Sequence, residues 1–452
     1  MHPIAVLAVA TAIVFLLILR WKINAFAVLL LAALAVGLLA GKTPPSRVMI
    51  DVTEAFGSLV GRIGIAIVMA AVIGQCLMDS GAADKITRRS LALLGRKYAS
   101  ISLVLTGFVL SIPVFADTVF FLLIPLARAM SIRMEGRHYL LLVLSISAGA
   151  SSTHVFVPPT PGPLAAAANL QLDIGVVMLA GLVAAAPATF ACWLFALWAD
   201  RKWPTEVRAA PGSDLEEMKK AADVPEEHLP GFWISLAPIA LPVLLITGAV
   251  AAETWARGTA LAEVASLFGN ANLALMIAAA IALAVLVHQK KTSLASLAAP
   301  LERALASGGI VMLITAAGGS FGAMLQKAGL GDELGRVSAA LGLSAVMLAY
   351  LLSALFKFAQ GSGTVAMIAS SAIMYPLIVS APPEYHPVYV FLAIAAGSQM
   401  GHWMNDSGFW AFSSMAGLSE LETLRSRSVM MAVLSLTGLG VTLLGSWLLP
   451  LR

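Results

Sequence analysis

The chain has 452 residues, of which 60% are hydrophobic and 12% charged, and its mean hydropathy is +0.91. That composition excludes an ordinary soluble domain and puts the chain in a lipid bilayer. The formal net charge of +4 calls for no nucleic acid, and Cys76 and Cys192, both in apolar sequence, supply neither a disulfide framework nor a metal site.

Uncharged windows long enough to cross about 30 Å of hydrocarbon recur along the chain. Their spacing predicts spans near 4–19, 24–40 and 61–79, a re-entrant hairpin near 99–127, a broken span near 139–165, and a fifth span near 174–199. The first apolar segment lacks a basic n-region and runs straight into another span, so it reads as a retained helix and not a signal peptide. Residues 200–230, with Pro204, Pro211, Pro225 and Pro230 among alternating charges, read as a polar cytoplasmic linker. The same order then returns: spans near 231–250, 271–288 and 307–326, a hairpin near 338–379, a broken span near 386–412, and a last span near 427–449. Residues 251–270 read as an insertion with no counterpart in the first half.

A polar signature is duplicated inside this hydrophobic sequence. Ala148-Gly149-Ala150-Ser151-Ser152-Thr153-His154 returns as Ala396-Gly397-Ser398-Gln399-Met400-Gly401-His402, an offset of 402 − 154 = 248. The same offset pairs Gly74 with Gly322, Gly81 with Gly329 and Asp84 with Asp332. Two copies of one unit, each interrupted by Gly, Pro and polar residues, form the pattern of a secondary transporter. Five crossings per unit is an odd number, so the second unit starts from the opposite side of the membrane. The expected fold is an all-α polytopic membrane protein, with about ten transmembrane helices plus two re-entrant hairpins in two inverted-topology repeats. Residues 1–199 form the first repeat and 231–452 the second.

Loop charge sets the orientation. With both termini outside, the inner loops hold twenty of the 28 Lys and Arg residues, Arg128, Arg425 and Arg427 among them. The expected location is therefore a bacterial cytoplasmic (inner) membrane, crossed many times, with both termini periplasmic.

Three charged residues fall within otherwise uncharged stretches: Asp117, Lys357 and Asp406. A charge at bilayer depth costs about 3 kcal/mol or more, so each should face protein or a water-filled cavity. The bland alternative is an internal Asp–Lys pair that only holds helices together. All three, however, sit beside helix-breaking sequence. The first hairpin tip reads Ser111-Ile112-Pro113-Val114-Phe115-Ala116-Asp117-Thr118, and the second Lys357-Phe358-Ala359-Gln360-Gly361-Ser362-Gly363-Thr364. Such tips expose backbone N–H groups and hydroxyls that can bind a carboxylate or substrate hydroxyls. Val157-Pro158-Pro159-Thr160-Pro161-Gly162-Pro163 is expected to be non-helical throughout, because four prolines remove the donors a helix needs. Its partner, Asn405-Asp406-Ser407-Gly408, offers amide, carboxylate and hydroxyl. His154 and His402 stand at the breaks, as packing or as site-lining residues. No HExxH or CxxC pattern suggests a metal, and no Ser–His–Asp set suggests a hydrolase.

At these positions the chain resembles the gluconate permease (GntP) family. The matching motifs are SIPVFAD (111–117), HVFVPPTPGPLAAA (154–167), AQGSGTVA (359–366) and NDSGFW (405–410). The resemblance implies a proton symporter of gluconate or related sugar acids, or in some branches of D-serine, within the ion-transporter superfamily. Two positions depart from the family pattern: Thr160 stands where His is usual, and Lys357 where Arg is frequent. A lysine keeps the charge but loses the planar fork that suits a carboxylate.

The expected cargo is thus a small hydroxylated carboxylate, bound by Ser111, Thr118, His154, Lys357, Gln360, Ser362, Thr364, His402, Asn405 and Ser407. Asp117 or Asp406 takes the coupling proton, with Na⁺ as the alternative coupling ion. No cofactor, metal or nucleic-acid partner is expected. The lipid bilayer is the surrounding partner, and a homodimer is suggested by analogy with the wider group.

Overall fold

Apolar sequence in lipid must satisfy its own backbone hydrogen bonds, and helices do so within one segment. The computed structural model describes residues 2–21, 23–94, 98–134, 136–207, 229–291, 297–404 and 406–451, and among them every regular element is a helix. Eight helical stretches are long and apolar enough to cross a membrane.

The first run comprises α1 (Pro3–Phe15), α2 (Ala25–Ala40), α3 (Pro45–Asp79), α4 (Ala82–Leu94), α5 (Ala99–Leu110), α6 (Ala116–Arg133), α7 (Tyr139–Phe156), α8 (Pro161–Asn169) and α9 (Ile174–Lys202). The second comprises α10 (Phe232–Trp255), α11 (Ala260–Gly269), α12 (Ala271–Lys290), α13 (Ala298–Lys327), α14 (Leu330–Leu341), α15 (Ala345–Gln360), α16 (Gly363–Ser380), α17 (Val388–Gly397), α18 (Ser407–Ala416) and α19 (Val429–Leu448). Apart from α11, which occupies the expected insertion, the two runs follow one order.

The long helices α3 and α13 pack along each other. Asp51, near the start of α3, pairs with Lys327 at the end of α13 at 2.7 Å. Asp79, the last residue of α3, pairs with Arg303, near the start of α13, at 2.9 Å. Two such ties at opposite ends make the helices antiparallel. They also explain why α3 begins at Pro45 and not near 61, and α13 at Ala298 and not near 307: charges that look like loop are neutralised between neighbouring helices. Each long helix ends in a sharp bend at a glycine of positive φ, Gly81 (+74°) and Gly329 (+79°), where a side chain would be strained. Beyond each bend lies an amphipathic helix, α4 or α14, that hydropathy alone does not announce.

The centre is built from the interrupted and hairpin helices. The stretch α7–α8 has 94% of its span window buried and α16 has 72%, against 33–56% for the other six. Gly149 explains part of this close fit. A Cβ there would collide with the Val104 carbonyl oxygen of α5, and one at Gly397 would meet the Tyr350 carbonyl oxygen of α15. The glycines of the duplicated signature therefore let backbone touch backbone, the small-residue device of membrane helix pairs.

The break after α7 is shorter than the proline content suggests. Helix resumes at Pro161, so Pro161-Gly162-Pro163 form the first turn of α8 and only 157–160 are non-helical. First-turn N–H groups have no intrahelical acceptor, so proline there costs no hydrogen bond. The loop-charge tally also changes. Arg128 is 1% exposed and Arg427 3%, so neither is a loop cation. Most of the 200–230 linker lies outside the described residues.

Candidate functional site

Four helices begin at one place. The first residues of α6, α8, α16 and α18 converge on a cavity of about 150 Å³, bringing Ala116, Gly162, Gly363 and Gly408 to its wall. A helix N-terminus carries a partial positive charge and unsatisfied N–H groups. The latter are fewer here, because Pro161 and Pro163 of α8 have none and Asp406 caps Gly408 N of α18. The turns before these helices explain the geometry: the Ser111–Phe115 tip, the proline break, the Gly361-Ser362 turn, and the long break between α17 and α18. Gly361 takes φ +82°, which closes the second tip in two residues.

Side chains add fixed charge. Lys357, in the last turn of α15, is 2% exposed; its Nζ donates to Asp406 Oδ2 and, at 2.6 Å, to the Gly361 carbonyl. Asp406 caps α18, with Oδ1 accepting from Gly408 N at 2.7 Å, and its Oδ2 lies 3.2 Å from His402 Nε2. Arg427 reaches the cavity from a wide π-helical turn, Leu424–Ser428, that leads into α19. Its Nε donates to Ser147 Oγ at 3.2 Å and one terminal nitrogen donates to the Gly408 carbonyl. Among the described lining side chains, two carry permanent positive charge and one is a carboxylate.

The cavity brings together His154, Lys357, Ser362, Thr364, His402 and Asp406 of the expected set. Ser111 and Thr118 are not on its wall; Ser111 is fully buried in the first tip, and its hydroxyl has no hydrogen-bond partner among the described residues. Asn405 and the side chains of Asp117, Gln360 and Ser407 lie outside the described residues. Thr160 does not face the cavity. Its hydroxyl donates to the carbonyls of His154 (2.8 Å) and Val157 (2.7 Å), closing the end of α7. His154 lies in the last turn of α7, whereas His402 lies within the second break.

Sequence reasoning missed Ser151, Gln399 and Arg427 as lining residues. The first two lie inside the duplicated signature and were open to discovery there. Arg427 offers only the weak signal of a charge one residue before an uncharged run.

The interrupted helices are held at their far ends by the opposite run. Asn169, the last residue of α8, donates to the Ile368 carbonyl (3.2 Å) and to Ser371 Oγ (3.0 Å) on α16. The end of α18 is held by Arg128 and Tyr139, which donate to the carbonyls of Met415 and Ala416, each at 2.7 Å.

With this geometry in place, the model of the GntP family permeases matches residues 2–448. The chain belongs to the GntP permease family. The gluconate permease of Pseudomonas aeruginosa is 33% identical over 436 residues, covering 96% of this chain and 95% of the relative. The high-affinity gluconate transporter of Escherichia coli is 30% identical, with 97% and 98% covered, and its Gnt-II system L-idonate transporter is 29% identical, with 97% of each covered. The solved structure of the Alcanivorax borkumensis YdaH transporter, described as having an unusual topology, superposes with a TM-score of 0.66 at 15% identity, covering 94% of this chain and 98% of the other. This GntP permease is thus a multi-pass membrane transporter of a bacterial family, not an enzyme, and it has the YdaH-like transporter fold.

Proposed function

We propose that this GntP permease imports gluconate or a closely related small hydroxylated carboxylate by proton symport. One observation carries the reading: four helix N-termini and two buried cations surround a single small cavity. That field favours a monoanion over a neutral or cationic solute. Ser151, Ser362, Thr364 and Gln399 on the same wall suit the hydroxyls of a polyol chain. The relatives, gluconate and L-idonate transporters, point to the same class.

The repeats, in this reading, are inverted copies meeting at the cavity, 1–199 against 231–452, with about ten crossings, two re-entrant hairpins and both termini periplasmic in the inner membrane. The antiparallel packing of α3 against α13 supports the inversion, because equivalent helices of inverted repeats run in opposite directions. Alternating access then exposes one shared cavity to each side in turn. Asp406, or Asp117 at the first tip, takes the proton. A carboxylate hydrogen-bonded to a lysine and 3.2 Å from a histidine nitrogen can loosen both contacts when protonated, which couples proton binding to rearrangement of the cavity.

Reconstituted into liposomes, the protein should accumulate radiolabelled gluconate only with an inward proton gradient, and equally well when choline replaces sodium. Accumulation driven by the gradient should fall sharply in Asp117→Asn or in Asp406→Asn. Undiminished gradient-driven uptake in both variants, or a requirement for sodium, removes the coupling assignment. Competition by other aldonates, glycerate and D-serine ranks the substrates.

A further inference from the structure

Positive-inside counting assigns Arg427 to a loop, yet the side chain is 3% exposed and on the cavity wall. The wide turn Leu424–Ser428 buries Ser426 and Arg427 side by side. Such π-helical turns inside α-helices are frequent at functional sites. The guanidinium carbon lies 4.9 Å from the ring centre of Phe120 on α6 and 4.6 Å from that of Phe412 on α18. Those two rings meet edge to face at 5.3 Å and form a corner against which the guanidinium rests. Ser147 and the Gly408 carbonyl fix it further. The rings meet the guanidinium at its carbon, whereas a carboxylate is recognised through the N–H donors, so ring contact and carboxylate binding are compatible. Lys357 is paired with a carboxylate, Asp406, and with the Gly361 carbonyl, whereas Ser147 and the Gly408 carbonyl, which accept from Arg427, carry no charge.

We infer that Arg427 is the carboxylate-anchoring residue of this cavity, while Lys357 serves Asp406. The inference rests on the cavity being the substrate site, as proposed above, and adds which residue reads the acid group. A planar, rotationally fixed fork gives geometric selectivity that a lysine point charge lacks. Its placement is also asymmetric. At the 248-residue offset the first run has 427 − 248 = 179, which is Leu179, exposed on the outside of α9. A hydroxy acid has its charge at one end only, so a site that reads it needs its anchor on one side.

The test is inhibition of radiolabelled gluconate exchange in proteoliposomes by unlabelled gluconate and by D-gluconamide, the neutral amide of the same chain. Exchange needs no net proton movement, so the readout is independent of coupling. Wild-type protein should prefer the acid by about 10- to 100-fold, the worth of one or two charge-assisted hydrogen bonds. Arg427→Gln should lower that ratio several-fold, the remainder coming from the helix N-termini and Lys357. Arg427→Lys should leave an intermediate ratio with a raised KM, and Ser147→Ala, a milder change that removes the Nε acceptor, should lower it in the same direction. A purely structural role would reduce the amount or maximal rate of transporter and leave the ratio unchanged in all three, which overturns the inference. Should Arg427→Gln fail to fold, the ratios of Arg427→Lys and Ser147→Ala decide between the two roles. If the wild-type protein itself does not distinguish acid from amide, the carboxylate reading of the cavity falls and Arg427's role falls with it. If wild type discriminates and the variants do so equally, only the Arg427 assignment is lost.

Discussion

Lys357 and Asp406 form a salt bridge that is almost closed off from solvent, between the last residues of one hairpin helix and the capping residue of an interrupted one. Charges in such a place are costly alone and tolerable together. Lys357→Met or Asp406→Asn alone should destabilise the protein by about 3–5 kcal/mol, and the double variant by clearly less. Thermal unfolding in detergent measures this. Equal melting of both single variants and wild type would show that water screens the pair.

The glycines of the duplicated signature make a second prediction. Gly149→Ala and Gly397→Ala place a methyl group against backbone that cannot rotate away, so each should cost about 1–3 kcal/mol or more. Gly57→Ala, in α3 with open space around it, should be neutral or slightly stabilising. Melting temperatures of the three variants are the check, and a tolerant Gly149→Ala would mean that α5 and α7 sit further apart.

Thr160→Val keeps shape and removes the hydroxyl that satisfies two carbonyls at the end of α7. Loss of buried pairing of this kind costs about 1–3 kcal/mol. Uptake of the proposed substrate should fall with it, because His154 stands on the turn that the hydroxyl closes. Thr160→Ser, which retains the hydroxyl, should recover most of both. Uptake and melting temperature of the two variants decide it.

Orientation can be read by fusion. Alkaline phosphatase joined to the C-terminus should be active, and green fluorescent protein at the same position dark, if the chain ends in the periplasm. The opposite result reverses the topology without touching the cavity.

Much of the site was visible in the sequence because the chemistry that builds it is helix-breaking. Proline, glycine and buried charge mark the tips and breaks, and Lys357, Asp406 and the two histidines follow from them. Pairing was not visible. Asp51 and Asp79 look like loop charges until Lys327 and Arg303 are seen opposite them, so α3 and α13 were read too short. Arg427 was hidden for the same reason, since its shelter comes from Phe120 and Phe412, roughly 300 and 15 residues away in the chain. The proline break was overestimated because the cost of proline depends on whether its position is first-turn or interior, and composition does not say which.

The bare backbone contact of Gly149 with α5, and of Gly397 with α15, limits how this transporter can work. Interlocked surfaces without side chains between them have no rotamers with which to slip, so α5 with α7, and α15 with α17, should travel as one rigid block. The hinge must then lie elsewhere. A chemical staple joining α5 to α7 should leave exchange of the proposed substrate running at its normal rate.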